Sequence, residues 1–225
     1  MISVSRCAIV FFLSLWGTNL MSSGVSSNNP LDQFCITEGH IARAEGPWMN
    51  VDSTKMRAVL GFAGKPEAEL KFRYLGETED RSRLLSGGER TQIGLKLKAQ
   101  DDCNVLYVMW RINPVSSLVM QVKSNPGQHR HAECGNSGYT NIKGKFTGPV
   151  PKIVEGSEHS LHAVLNGSTL SVDVDGAPTW EGNVGDDVSH FDGPVGLRSD
   201  NARFDFQFNA RPANGAFACD KNRTE

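Results

Sequence analysis

The densest run of chemically versatile side chains lies between residues 129 and 139: His129, His131, Glu133, Cys134 and Tyr139. In an extended chain, alternation puts His129, His131 and Glu133 on one side. Two histidines at i, i+2 with a carboxylate can contact a divalent ion, but no further ligand stands at a suitable spacing, so no metal is assigned. His131 with Tyr139 is a better pair for proton transfer, one group taking a proton and the other returning it to a leaving oxygen. The alternative is a polar loop pinned by a disulfide at Cys134. The acidic stretches Asp173-Val174-Asp175-Gly176, Asp186-Asp187 and Asp200-Asn201 do not reproduce a defined calcium loop. There is no Gly-rich phosphate loop, Ser nucleophile elbow or Cys-x-x-Cys, and no cofactor is expected.

A second set of candidates emerges only when the chain is read as strands. If Leu70 and Phe72 face a core, then Glu69, Lys71 and Arg73 face the other way; Gln92, Lys96 and Lys98 oppose Ile93 and Leu95 by the same rule. Tyr107 and Arg111 share a face of the next apolar segment, and Gln121 and Lys123 share one on its hairpin partner. Should these faces coincide on one sheet, Arg73, Gln92, Lys96, Tyr107, Arg111, Gln121 and Lys123 form a cationic, amide-bearing groove suited to an acidic glycan. The same alternation also describes the ordinary solvent face of an antiparallel sheet.

The elements that must carry these residues are strands. No window shows apolar residues at i, i+3, i+4 and i+7 flanked by caps. Short alternating segments separated by turn residues dominate instead: Met56 to Phe62, Ala68 to Tyr74, Ile93 to Leu97, Leu118 to Lys123 and Phe204 to Phe208. Asn104 to Ile112 is apolar on both faces and reads as a central strand, ended by Asn113-Pro114 because proline cannot donate to a ladder. Asn166-Gly167 and Asp175-Gly176 are hairpin turns between alternating runs. Gln128 to Gly148 is the longest stretch without clean periodicity, and long irregular segments in compact domains tend to be functional loops.

The 225-residue chain has a formal net charge of −2 and no Lys/Arg stripe of the kind that neutralises phosphates, so nucleic acid is not an expected partner. Arg6 followed by the apolar run from Ala8 to Trp16 and then small residues reads as a signal peptide over residues 1–24, with cleavage near Gly24 or, equally, Ser26. No later run reaches the roughly 20 apolar residues of a transmembrane helix, so membrane insertion is not expected and the product is secreted. Residues 25–34 read as a flexible segment, 35–219 as one domain and 220–225 as a tail. Four cysteines follow the signal; Cys35 with Cys219, near the two ends, and Cys103 with Cys134, flanking a hairpin, are the favoured of three pairings. Asn166 and Asn222 open N-glycosylation sequons. Nothing in the sequence fixes an oligomeric state.

The last third also carries a resemblance. Val174-Asp175-Gly176, a short strand, then Gly193, Val195, Gly196 and Leu197, then alternating Phe204, Phe206 and Phe208 resemble the closing hairpins of concanavalin A-like lectin/glucanase and laminin G-like domains, over roughly Glu158 to Asn209. The resemblance implies an all-β fold, a two-sheet antiparallel β-sandwich of jelly-roll type. Retaining glucanases of this fold use a Glu-x-Asp-x-Glu run, which puts carboxylates on one strand face. Here Glu77, Glu79 and Asp80 have the wrong spacing and read as solvated charge beside Arg81 and Arg83. The reading is therefore a secreted carbohydrate-recognising protein that binds an extracellular or cell-wall polysaccharide. One alternative is a polysaccharide lyase that cleaves a uronate-containing glycan by β-elimination, with Arg111 and Gln92 on the carboxylate and His131 and Tyr139 as base and acid. The other is an extracellular protein-binding laminin G-like module, which rests on fold analogy alone.

Overall fold

In a computed structural model, which describes residues 30–84 and 87–216, the chain is a two-sheet antiparallel β-sandwich of thirteen strands. They are β1 (Phe34–Glu38), β2 (Ile41–Arg43), β3 (Met49–Leu60), β4 (Phe62–Glu77), β5 (Thr91–Leu97), β6 (Val105–Asn113), β7 (Ser117–Lys123), β8 (Tyr139–Asn141), β9 (Phe146–Thr147), β10 (Glu158–Asn166), β11 (Thr169–Val174), β12 (Ala177–Asn183) and β13 (Gly196–Ala216). Among the described residues, helical structure is confined to α1 (His131–Cys134) and 3-10 turns at Pro30–Gln33 and Asp187–His190. No helix among the described residues is long and apolar enough to cross a membrane.

Two long strands belong to both sheets. The first half of β13 pairs with β5 through Gly196 to Asp200, and its continuation from Ala202 pairs with β4. Along both halves the opposite edge is held by β3, from Gly196↔Val59 to Phe206↔Met49. The first sheet therefore runs β8-β7-β6-β5-β13-β3-β1, and the second β9-β12-β11-β10-β4-β13-β3-β2. The change of partner falls at Asn201, whose φ of 53° lies in the left-handed region that side chains other than Asn and Asp seldom adopt. Its fully buried side chain offsets that cost: Oδ1 accepts from the Ser82 amide at 2.8 Å, and Nδ2 donates to the carbonyls of Ser82 and Arg90 at 2.8 and 2.9 Å.

Alternation explains what each sheet buries. Ile93, Leu95 and Leu97 with Leu106, Val108 and Trp110 point inward from the first sheet, against Leu70, Phe72, Leu161, Val172, Phe204, Phe206 and Phe208 from the second. Phe72 meets Trp110 edge-on across the gap, with centroids 5.8 Å apart. The three phenylalanines of β13 thus share the inward face, as their spacing required. The glycines at the entry to β13 are close approaches: a Cβ on Gly193 would sit 2.2 Å from the Ala99 carbonyl, and one on Gly196 2.2 Å from that of Ala58. Both hairpin turns form, with Asn166↔Thr169 and Val174↔Ala177 closing two-residue loops. Asp175 and Gly176 take φ of 52° and 77°, the left-handed pair of a type I′ turn.

Some expectations are corrected. Residues 30–34 are not a flexible lead-in: Phe34 is buried in β1 and packs edge-on against Phe206 and Phe208. The stretch from 128 to 148 holds α1, β8 and β9, so His129, His131 and Glu133 do not alternate on an extended chain. β1, β2 and the first half of β3 were not legible as strands. The Cys103–Cys134 disulfide is present, while Cys219, the assigned partner of Cys35, lies outside the described residues. So do residues 1–24, read in the sequence as a signal peptide, the expected C-terminal tail and Asn222. Asn166 is exposed at its turn.

Candidate functional site

Side chains that point away from the core on the first sheet form a grid fixed by strand register. One row is Asn141–Gln121–Tyr107–Lys96 across β8, β7, β6 and β5. The next passes from Met109 through Gly94 to Arg198 and Arg57, across β6, β5, β13 and β3, and a third joins Arg111, Gln92 and Asp200. Gly94 is the gap in this grid. A Cβ there would meet the Val108 carbonyl oxygen at 2.2 Å and Met109 Sδ at 2.8 Å. Its absence leaves a bare stretch of strand between Arg198 and β6, and the Arg198 guanidinium lies 4.6 Å from the centre of the Tyr107 ring.

Above this grid is a cleft of about 490 Å³, lined by Lys55, Arg57, Arg90, Gln92, Tyr107, Gln121, Lys123, His131, Asn136, Tyr139 and Arg198, with Glu38, Asp102 and Leu84. Its floor is an ionic cluster. Asp200, 1 % exposed, accepts from Arg57 Nη2 at 2.5 Å, from Gln92 Nε2 at 2.6 Å and from Arg198 Nε at 3.3 Å. Burial alone would raise the Asp200 pKa, but Arg198, Arg57 and the hydrogen bonds hold it well below the usual carboxylate range. Burial likewise opposes the charge on Arg198; Asp200, with smaller contributions from the adjacent Tyr107 and Tyr139, outweighs it. Tyr107 and Tyr139 stack at 6.1 Å, and Lys123 Nζ lies 5.3 Å from the Tyr139 ring while donating to the Asp102 carbonyl at 2.8 Å.

Loops build the walls. The Cys103–Cys134 bridge ties α1 to the start of β6. Asp101 reinforces it, accepting from the Cys103 amide, the Asn104 side chain and His129 Nδ1 at 2.8 to 2.9 Å. Glu133 caps the turn by accepting from the amides of His129 and Arg130, which lowers its pKa. His129 and Glu133 are thereby occupied in holding the loop, and only His131 of that trio reaches the cleft. The opposite wall, with Leu84 and Arg90, hangs from Asn201 and from Glu77, which pairs with Arg81 and accepts from Thr91 and Asn113, each at 2.7 Å. Glu77 therefore acts as a loop clamp.

Of the residues singled out by alternation, Gln92, Tyr107, Gln121 and Lys123 line the cleft together with His131 and Tyr139. Lys96 shares their face but is buried beneath it. Arg111 belongs to the Gln92 row outside the lining, with its Nε buried and without a hydrogen-bond partner; burial and nearby Arg90 lower its pKa. Arg73 is on the second sheet, over Trp48 at 4.9 Å and beside Glu158, because β4 pairs with β10 and β13 and never joins β5. The residues missed are Lys55, Arg57, Arg90, Asn136, Arg198 and Asp200. The parity rule reaches three of them: Leu197 inward puts Arg198 and Asp200 outward, and Met56 and Ala58 inward put Arg57 outward.

No protein-family model and no curated protein matches the chain. Solved structures do. The carbohydrate-binding module CBM66 from Bacillus subtilis superposes with a TM-score of 0.55 at 14% identity, covering 78% of this chain and 92% of that one. Domain 4 of AbnA, a GH43 extracellular arabinanase from Geobacillus stearothermophilus, in complex with arabinotriose, gives 0.45 at 12% identity, covering 84% and 85%. CG-16, a homodimeric agglutinin from chicken liver, gives 0.42 at 11%, covering 67% and 97%. The likeness to the first is one of fold, consistent with a concanavalin A-like sandwich, and it extends well beyond the C-terminal third.

Proposed function

We propose that this chain is a secreted carbohydrate-recognising protein that holds an extracellular or cell-wall polysaccharide in the cleft on the first sheet. The observation that carries the reading is the cleft itself, where guanidinium, ammonium, amide, imidazole and phenol groups from six strands, two loops and α1 converge on one cavity. Polar groups fixed on strands rather than on mobile loops can orient a polar ligand. The fold shared with a carbohydrate-binding module supports it. Affinity electrophoresis of the purified protein through gels containing neutral and acidic polysaccharides tests it. Retardation by at least one polymer, relieved by Tyr139→Ala, is expected; free migration through all of them would refute it.

A second reading, β-elimination on a uronate-containing glycan, is favoured by the joint placement of His131 and Tyr139 in that cleft with Arg198. In that case His131→Ala abolishes the appearance of the unsaturated-uronate absorbance while retention on the polymer survives. In the binding reading there is no turnover to lose, and the same change alters affinity by about 1 to 2 kcal/mol, the scale of one hydrogen bond.

A further inference from the structure

We propose that the occupant of the cleft carries an anionic substituent, a carboxylate or sulfate ester on a sugar ring, and that Arg198 receives it with Arg57, Lys55 and Lys123 around it. The inference rests on the carbohydrate reading and narrows it to one chemical class. Five cationic side chains line the cleft against two carboxylates, Glu38 and Asp102, with Asp200 beneath. The imbalance is local, since the whole chain has a formal net charge of −2. A cavity of about 460 Å³ on the second sheet has the opposite balance: Glu67, Glu69 and Asp173 line it against Arg211 and His162, with His162 3.5 Å from Glu67 and 3.3 Å from Asp173 and Arg211 3.7 Å from Glu67. An anionic polymer is thus favoured in the cleft over that cavity.

The floor is also organised in advance. Asp200 fixes Arg57 and Arg198 side by side, and Tyr107, itself stacked on Tyr139, supports the Arg198 guanidinium from its ring face. The Arg198 side chain is 13% exposed, so it remains open to the cleft while its rotamer is held. A planar fork immobilised in this way suits the oxygens of a carboxylate or sulfate and loses little further freedom on binding. A neutral sugar could use the tyrosine hydroxyls and amides, but would leave the excess positive charge of the floor, two guanidiniums on the one Asp200 carboxylate, unmatched.

The test compares polymers that share a backbone and differ only in charge: polygalacturonate against its methyl ester, and chondroitin sulfate against the desulfated polymer and against unsulfated, carboxyl-reduced chondroitin. Neutral arabinan and levan and duplex DNA complete the set, with dissociation constants measured at roughly 50 and 500 mM NaCl, where screening differs severalfold. We expect at least one charged member to bind, with a loss of about tenfold or more on esterification or removal of its charged groups and again in high salt. The pair that responds identifies carboxylate or sulfate. Arg198→Gln should weaken that binding by about 10- to 100-fold, and Arg198→Lys, which keeps the charge without the fork, by less. Lys55→Met at the rim, which leaves the buried cluster intact should Arg198 variants fail to fold, should lower affinity by a few-fold. Equal, salt-insensitive binding of neutral and charged polymers would overturn the inference and leave the carbohydrate reading standing. Binding to DNA as tight as to the glycans would reduce the cleft to an ion exchanger and also overturn it, whereas no binding to any polysaccharide removes the carbohydrate reading itself.

Discussion

Replacing Asp200 by Asn keeps the shape of the buried side chain and removes its charge, leaving two guanidiniums on the cleft floor without their shared counter-ion. Arg57 is 7 % exposed at its side chain and sits 2.5 Å from the carboxylate; Arg198 is 13% exposed at 3.3 Å. At an effective dielectric near 20, unit charges about 4 Å apart interact by roughly 4 kcal/mol, and removing one partner of a buried pair typically costs about 3–5 kcal/mol. We take that range for the folding penalty. For a domain of this size, about 2–4 °C of melting temperature per kcal/mol gives a fall on the order of 10 °C. The pH dependence adds a signature. The Asp200 pKa is depressed in the folded state, so its contribution is present above the ordinary aspartate value near 4 and is lost as pH falls through the lower folded value. The gap between wild type and Asp200→Asn should stay constant from neutral pH to about pH 5 and narrow only below about pH 4. Urea titrations of both proteins across this range provide the measurement. A penalty below about 1 kcal/mol, or one that persists unchanged in an Arg57→Met, Arg198→Met background, would refute the account of the floor.

Three further outcomes follow from the framework around the cleft. Removing the Cys103–Cys134 bridge with a double Ser substitution reopens a separation of 31 residues, worth about 3.7 kcal/mol in the chain-entropy model, and should appear as a loss of a few kcal/mol in chemical denaturation. Asn201→Gly keeps the left-handed backbone but deletes three hydrogen bonds to Ser82 and Arg90; a loss of about 1–3 kcal/mol and faster proteolysis within 79–90 are expected, both readable by limited digestion and melting. Gly94→Ala drives a methyl into the Val108 carbonyl and Met109 and should cost at least about 1–3 kcal/mol by overpacking, detectable as a lowered denaturation midpoint.

The sandwich was legible because its two-residue periodicity is strong where one face is buried: the Phe204–Phe208 series and the β10–β11 hairpin follow directly from alternation. β1 and β2 were not, because Phe34 to Arg43 has too short an apolar pattern to stand out from the coil around it. Parity also placed Gln92, Tyr107 and Gln121 on one face. It misplaced Arg73 with them, since alternation says which side of a strand a residue takes and not which sheet the strand joins. In sequence Asp200-Asn201 reads only as an acidic stretch without a calcium loop, and the neighbours that give it and Arg198 a role come from the pairing of β13 with β3 and β5, which alternation along one strand does not specify. The clamping role of Glu133 was hidden because the turn at α1 is held by long-range partners, the disulfide to Cys103 and the His129 contact with Asp101, that spacing along the segment does not show.

The passage of β3 and β13 through both sheets has a consequence for how the molecule opens. In a sandwich whose sheets share no strand, one layer can in principle peel from the other before its own hydrogen bonds are lost. Here the ladder between Gly196 and Phe206 on β13 and Met49 and Val59 on β3 belongs to both layers at once. Neither sheet can detach without breaking it. The amide protons of this ladder should exchange with deuterated solvent only through global unfolding, at a single free energy equal to that of the whole domain, while β8 and β9 at the outer edges exchange by local fraying. The two layers are then one cooperative unit, and a ligand that stabilises the cleft on the first sheet should slow exchange of the shared ladder throughout the second.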